Sequence, residues 1–294
     1  METQVLEYAQ KSEEVEDIEG QDEPFGQEEL ERVRKGLPNG KATGVDGLPN
    51  EVLKNGGPAM AASIQALFNW IRKAERLPTR WLRGMIATIY KDGPKEDPGN
   101  YRGITLLCHV GKYFSTAIAK RVYRTLEQGD HICEEQGGFR EKRSTIDQAF
   151  VLHECLMRRK HAGQNSYCFF LDVRKAFGTV WQNGLWKNMF EAGIQGKLWR
   201  LVRALYRDTE SCVLVDGEHT RWFGKGNRSQ GVRQGCPLST ALFALFVDGR
   251  RGPAGPRPRC QSGSSQLSVT PVRGRCRHRS KHTRGTAEHD RNGG

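Results

Sequence analysis

Asp172 closes a run of aromatic and aliphatic residues, Tyr167, Cys168, Phe169, Phe170 and Leu171, and Gly231-Val232-Arg233-Gln234-Gly235-Cys236-Pro237-Leu238-Ser239 begins 59 residues further on. The run is β-prone, so it predicts a strand over 166–173 that ends on a carboxylate. A carboxylate held at a strand end with apolar neighbours suits a divalent metal ion, whose field is strongest where water is scarce. The second stretch reads as a glycine-punctuated turn opening into an apolar helix, a shape that lets backbone approach a substrate closely. Together they predict a metal ligand facing a substrate-positioning loop.

Such a pair needs a scaffold, and the flanking sequence supplies one. Helical periodicity predicts helices over 27–35, from Pro58 (Met60, Ile64, Leu67, Phe68, Ile71 on one face), over 111–128 (Phe114, Ile118, Val122, Leu126), over 185–191 and over 197–207. Ser144 reads as the cap of a helix reaching Lys160 and burying Ile146, Phe150 and Leu156. Alternation predicts a strand over 83–91, and Asp216-Gly217 between two β-prone arms predicts a hairpin over 213–222. Residues 238–247 read as a buried helix.

The charge is segregated. The first 30 residues carry 11 acids and one Lys, a balance of −10; residues 250–294 carry 10 Arg, one Lys and two acids, a balance of +9; the total of +12 leaves +13 for the body. A basic body favours a polyanion, nucleic acid above all, although a solvated lysine-rich surface accounts for the charge equally well. The acidic head, 1–26, reads as disordered or transiently helical, and the tail, 250–294, as disordered, because neither has the apolar period that burial requires. Eight cysteines without a Cys-x-x-Cys suit reduced thiols in the cytoplasm or nucleus. No apolar run reaches the ~18 residues of a membrane span, and no signal peptide is visible, so an intracellular protein with no membrane partner is expected. Oligomeric state is not legible. Cys260, Cys276, His278 and His282 form a poor zinc pattern, with one residue between Cys276 and His278 and no apolar backing.

Five blocks in order make the chain resemble the reverse transcriptases of non-LTR (LINE-type) retrotransposons: Gly40-Lys41-Ala42-Thr43-Gly44-Val45-Asp46-Gly47; Lys91 with Asn100-Tyr101-Arg102-Gly103-Ile104-Thr105-Leu106-Leu107; Gln136-Gly137-Gly138-Phe139-Arg140-Glu141-Lys142-Arg143-Ser144-Thr145; the Asp172 run; and the Gln234 loop. The resemblance implies an α/β (more loosely α+β) fold of fingers and an incomplete palm over 27–249, and a parent activity of RNA-directed DNA polymerisation. Its partners would be an RNA template, a DNA primer and deoxynucleoside triphosphates, and its cofactor Mg²⁺, with Mn²⁺ as a substitute. It assigns Asp172 to catalysis and, with the Val173 carbonyl, to the metal. Lys91, Arg102, Phe177, Gln234 and Gly235 fall to the nucleotide, and Phe139, Arg140 and Arg233 to the template. Alternatives stay open at several positions: Lys95 could replace Lys91, Phe177 could be a core aromatic, and Phe139 with Arg140 could be a loop with one buried ring.

The sequence also departs from the family. Gly178 stands where the family has a second Asp, Gly103 replaces a Pro, and no Tyr-Ala-Asp-Asp run follows the Gln234 loop. Two-metal transfer needs more carboxylate oxygens than one Asp supplies. The chain alone is therefore expected not to polymerise DNA, with thumb and second carboxylate motif missing and the tail read as out-of-frame or intronic translation. A non-catalytic nucleic-acid-binding relic, or a pseudogene product, is the alternative.

Overall fold

The computed structural model describes residues 2–15, 17–224 and 230–249. The chain begins with helix α1 (Glu2–Glu14). It continues through α2 (Gln27–Lys35), α3 (Asn50–Asn55), α4 (Gly57–Ala74) and the short α5 (Thr79–Leu82). Strands β1 (Arg83–Tyr90) and β2 (Tyr101–Leu106) then form a hairpin ahead of the long helix α6 (His109–Gln128). After α7 (Thr145–His161), α8 (Gln182–Glu191) and α9 (Gly196–Ala204) come β3 (Glu210–Val215), β4 (Glu218–His219) and the final helix α10 (Leu238–Gly249).

The four strands form one sheet in the order β2-β1-β3-β4. β1 pairs antiparallel with β2 and parallel with β3, while β3 turns tightly into β4. Asp216 and Gly217 both have positive φ, 50° and 88°, as the Asp-Gly signal requires. The result is a mixed α/β fold. Around α6 sits an aromatic nest in which Phe68 meets Phe25, Trp81, Tyr113 and Phe114 edge to face at centroid distances of 5.1 to 6.1 Å. α10 is buried along Leu238, Ala241, Leu242, Phe243, Leu245 and Phe246.

Two expectations require correction. The acidic head is not wholly detached: residues 2–14 are helical, and the stretch before Phe25 is bound into the body. Asp22, 2% exposed, accepts the backbone N–H groups of Lys197 (3.3 Å) and Leu198 (2.8 Å) at the start of α9. Arg121 donates to the carbonyls of Gln21 and Glu23 and to both oxygens of Glu29, with Phe25 under its guanidinium at 4.1 Å. The head folds because its acids meet backbone donors and cations that lie far off in sequence. The expected disorder of the tail falls outside the described residues.

The second correction is larger. The strand expected over 166–173 does not form; the backbone there has no regular structure, and Tyr167, Phe169, Phe170, Leu171 and Val173 are 93, 79, 56, 73 and 47% exposed. β-propensity describes fitness for a paired, half-buried surface, and among the described residues no strand lies beside this segment to complete the ladder. Helix α7 forms where expected, with the Ser144–Asp147 capping box intact, but Ile146 and Phe150 are 78 and 62% exposed instead of buried.

Candidate active site

The first, second and fifth blocks meet through backbone contacts, and the third joins them at Phe177, in the segment after Asp172. Gly44 of the first lies so tightly on the chain after β2 that a Cβ there would come within 2.4 Å of the Cys108 nitrogen. Beside it, His109 is fully buried. Burial, then the nearby Lys112 charge, holds its imidazole below the ordinary value. Burial likewise pushes the Cys108 thiol up to about 11, with Asp46 adding to it.

Thr105 of β2 donates its N–H to the Gln234 carbonyl at 2.7 Å, which seats the fifth block on the second. Gly235 has φ +115°, and a Cβ would lie 2.6 Å from the Thr105 oxygen, so only glycine fits this approach. The same loop is tied to the segment after Asp172: Val232 donates to the Phe177 carbonyl and Gly231 to the Val180 carbonyl, both at 2.8 Å, and Gln182 Nε2 donates to the Gly231 carbonyl at 2.8 Å. The third block joins through Phe139, whose ring meets Phe177 at 6.1 Å, while Phe177 stacks on Phe243 of α10 at 5.2 Å and 28°.

Lys91 and Arg102 are exposed at the β1–β2 hairpin. Arg102 lies opposite Ile89, and the Lys91 N–H donates to the Asn100 carbonyl at 2.9 Å; this register puts both cations on one sheet face, a diagonal apart. Gln234 is half-buried. The remaining assignments sit differently from expectation. Phe177 is half-buried against Phe139 and Phe243, the core-aromatic arrangement. The Arg140 side chain is 7% exposed and spends its donors on Glu127 (2.7 and 2.9 Å) and the Cys133 carbonyl. Arg233 donates to the carbonyls of Trp81 (3.1 Å) and Leu205 (2.6 Å) and lies over the Tyr206 ring. Both arginines thus rivet the protein to itself. A cation read from sequence carries no sign of whether its partner is a phosphate or a buried carbonyl. Trp81, Leu205 and Phe243, which also shape this loop, lie in no motif block.

Asp172 is exposed, five residues ahead of Phe177, and Val173 beside it is exposed as well. It is not enclosed against the Gln234 loop as expected, because the strand that was to carry it is unpaired. Among the described residues no group of three or more His, Cys, Asp and Glu could hold a metal ion. Asp248 is engaged elsewhere, accepting the Cys133 N–H at 3.0 Å. One exposed carboxylate and one carbonyl do not fit the two-ion Mg²⁺ or Mn²⁺ site that the resemblance implies. Cys260, Cys276, His278 and His282 lie outside the described residues. No helix among the described residues is long and apolar enough to cross a membrane.

Gly178 is not required sterically: its φ is not in the left-handed region, and a Cβ would meet only the Lys175 carbonyl, at 3.4 Å. An Asp would fit there.

Residues 93–254 match the family described as reverse transcriptase (RNA-dependent DNA polymerase). The "Probable RNA-directed DNA polymerase from transposon X-element" of Drosophila melanogaster is 29% identical over 224 residues, 76% of this chain and 24% of that protein. The corresponding protein from transposon BS is 28% identical, with the same coverage. The "Retrovirus-related Pol polyprotein from type-1 retrotransposable element R2" of Popillia japonica is 27% identical over 76% of this chain and 30% of its own length. The chain therefore spans about a quarter of the length of the curated relatives it matches. With the match covering more than half of its residues, and with relatives such as these, the chain belongs to the reverse transcriptase family, as a partial member of its non-LTR retrotransposon branch.

Proposed function

We propose that this chain carries the nucleotide- and template-facing framework of an RNA-directed DNA polymerase of a non-LTR retrotransposon, and that by itself it does not extend a primer. The observation that carries the reading is the convergence of the Thr105, Phe177 and Gln234 segments, with Asp172 five residues ahead of Phe177 and no group of three or more His, Cys, Asp and Glu among the described residues that could hold a metal ion. Bound divalent ions in the parent reaction activate the primer hydroxyl and neutralise the triphosphate. In this chain Arg102 and Lys91 would meet the triphosphate from the open face of the hairpin, Arg as a planar fork and Lys as a point charge. Gln234 and Gly235 would present backbone and amide to the nucleotide, and Phe177 would set the floor of the pocket from beneath. Phe139, Arg140 and Arg233 would act on the template by holding the loops in shape. Asp172, with Val173, would be the surviving metal-side group, and the setting intracellular.

Primer extension on an RNA template with Mg²⁺ or Mn²⁺ tests this. No extension is expected; incorporation that disappears in Asp172→Ala would overturn it. A second reading, a nucleic-acid-binding relic, is favoured by the +13 charge of the body, and salt-sensitive RNA binding without extension would support it.

A further inference from the structure

The acidic head lies on a basic surface. Helix α9 carries Lys197, Arg200 and Arg203 three residues apart, so they share one side, while Leu198, Trp199, Leu201 and Val202 are buried. α1 packs against α9 and α8, with the Tyr8 ring 5.2 Å from Phe190. The cations of α9 meet the head in turn. Lys197 pairs with Asp17, Arg200 donates to the Ser12 carbonyl, and the charge of Glu13 acts on both Arg200 and Arg203. Arg72 of α4 stands on another side of the Asp17 carboxylate, at 3.9 Å, and donates to the Asp22 carbonyl at 2.6 Å. Asp17 thus sits as a phosphate would, one anion between two cations from different helices.

The head is held in two unequal parts, on either side of Gly20, whose φ is +77° with open space around it. After it, Asp22 and Phe25 are 2 and 1% exposed and locked into the body. Before it, the attachment is mostly polar: Asp17 is more than half exposed in its ion pairs, Ser12 Oγ donates to the Gly196 carbonyl at 3.3 Å, and the Tyr8 hydroxyl reaches Glu191 at 3.4 Å. Glu7, Gln10, Lys11, Glu13 and Glu14 face water. Exposed ion pairs contribute little and are weakened by salt, so this part opens before the body unfolds.

We propose that the basic side of α9, with Arg72, is a binding surface for the backbone of single-stranded RNA, and that α1 with Asp17 is its built-in competitor, displaced by the RNA while Asp22 and Phe25 stay anchored. The choice of RNA rests on the functional reading above, and the place on the charge pattern. A competitor within the chain lowers the apparent affinity by the fraction of molecules in which it is open. Its acids, each facing a cation, set that fraction.

The test uses the full chain and a 20-nucleotide RNA at 100 mM KCl, where one further phosphate contact on a single strand is worth about fivefold in affinity. Asp17→Asn, which uncovers Lys197 and Arg72, is expected to bind about five- to twenty-five-fold tighter, with an unchanged circular dichroism spectrum. Glu14→Gln removes the same charge from an exposed position that has no ion pair to the body, and should bind as the parent does. Lys197→Ala should be silent in the parent, where the head covers it, and should weaken the Asp17→Asn chain about fivefold. Hydrogen exchange of residues 2–14 should rise when RNA is added, while that of 22–25 stays slow. Equal gains from Glu14→Gln and Asp17→Asn, or RNA bound with α1 as protected as before, would overturn the mask and leave RNA binding standing. Polyglutamate of equal charge displacing α1 as readily as RNA would overturn RNA as the partner, and no RNA binding by any form would overturn both readings.

Discussion

At the scale of single residues, the loop around Gln234 is held by one close approach. Gly235→Ala would force a Cβ to within 2.6 Å of a backbone oxygen at a φ of +115°, and neither atom has room to give. A cost of about 1 to 3 kcal/mol is expected, seen as a lower denaturant midpoint with unchanged slope. Gly178→Asp makes the contrast, because the site is open: its midpoint should stay within about 0.5 kcal/mol of the parent. Restoring that acid alone should leave primer extension absent, since it supplies a side chain the fold tolerates without a second metal ligand. His109 sets a pH dependence. Its folded value is held below the ordinary one by burial and by Lys112, with the Ala42 backbone, Asp46 and the Leu48 backbone opposing them. As pH falls through about 6.5 the unfolded chain takes the proton first, so stability declines from there toward lower pH and is flat above. Melting curves between pH 5 and 7.5 should show that decline, and His109→Gln should flatten it. The carboxylates held low, such as Glu51 by the Gly40 N–H and Asp17 by Lys197, act further down the scale and leave this window to the imidazole.

At the scale of elements, α9 shows how a cap can come from a distant part of the chain. Its local cap, Gln195, makes no side-chain capping bond, its amide donating instead to the Phe190 carbonyl, and Asp22 does the work from 175 residues away. Asp22→Ala should cost about 0.5 to 2 kcal/mol, the range for lost caps, and deletion of 1–26 should cost more, whereas a merely solvating head would leave the midpoint unmoved. This is where sequence reading ends. The boundaries of α2, β1, α6 and the Asp216-Gly217 hairpin were legible because local period and turn chemistry determine them. β2 was not read as a strand, because its residues become one only against β1, and α3 and α5 carry too little period in too few residues. The segment over 166–173 failed for the opposite reason: its composition says strand, but a strand is a property of two segments. In the site, Asp172, Gly235 and the loop order were legible as motif, and the contact of that loop with Thr105 was not. The roles of Arg140 and Arg233 could not be separated from phosphate binding without seeing Glu127, Trp81 and Leu205 around them.

At the scale of the whole molecule, the charge distribution decides which cations are left for a polyanion. Arg121, Arg200, Arg140 and Lys197 already answer Glu29, Glu75, Glu127 and Asp17. Part of the acidic head is thus consumed internally, and the formal +13 of the body overstates what RNA would meet. Exposed cations such as Lys91 and Arg102 are not spent in this way. If they touch a single strand, each contributes one released counterion, or about 0.7 in the slope of log affinity against log salt. Binding of a 20-nucleotide RNA measured between 50 and 300 mM KCl should therefore weaken steeply. Lys91→Ala and Arg102→Ala should each shallow the slope by about that amount without changing the melting midpoint. Arg140→Ala should do the reverse, leaving the slope alone and costing about 1 to 2 kcal/mol of stability, because its enclosed guanidinium also donates to the Cys133 carbonyl while its partner Glu127 stays nearly half exposed. A slope that responds to Arg140 while stability does not would return that arginine to the template, and with it the loop that carries Phe139.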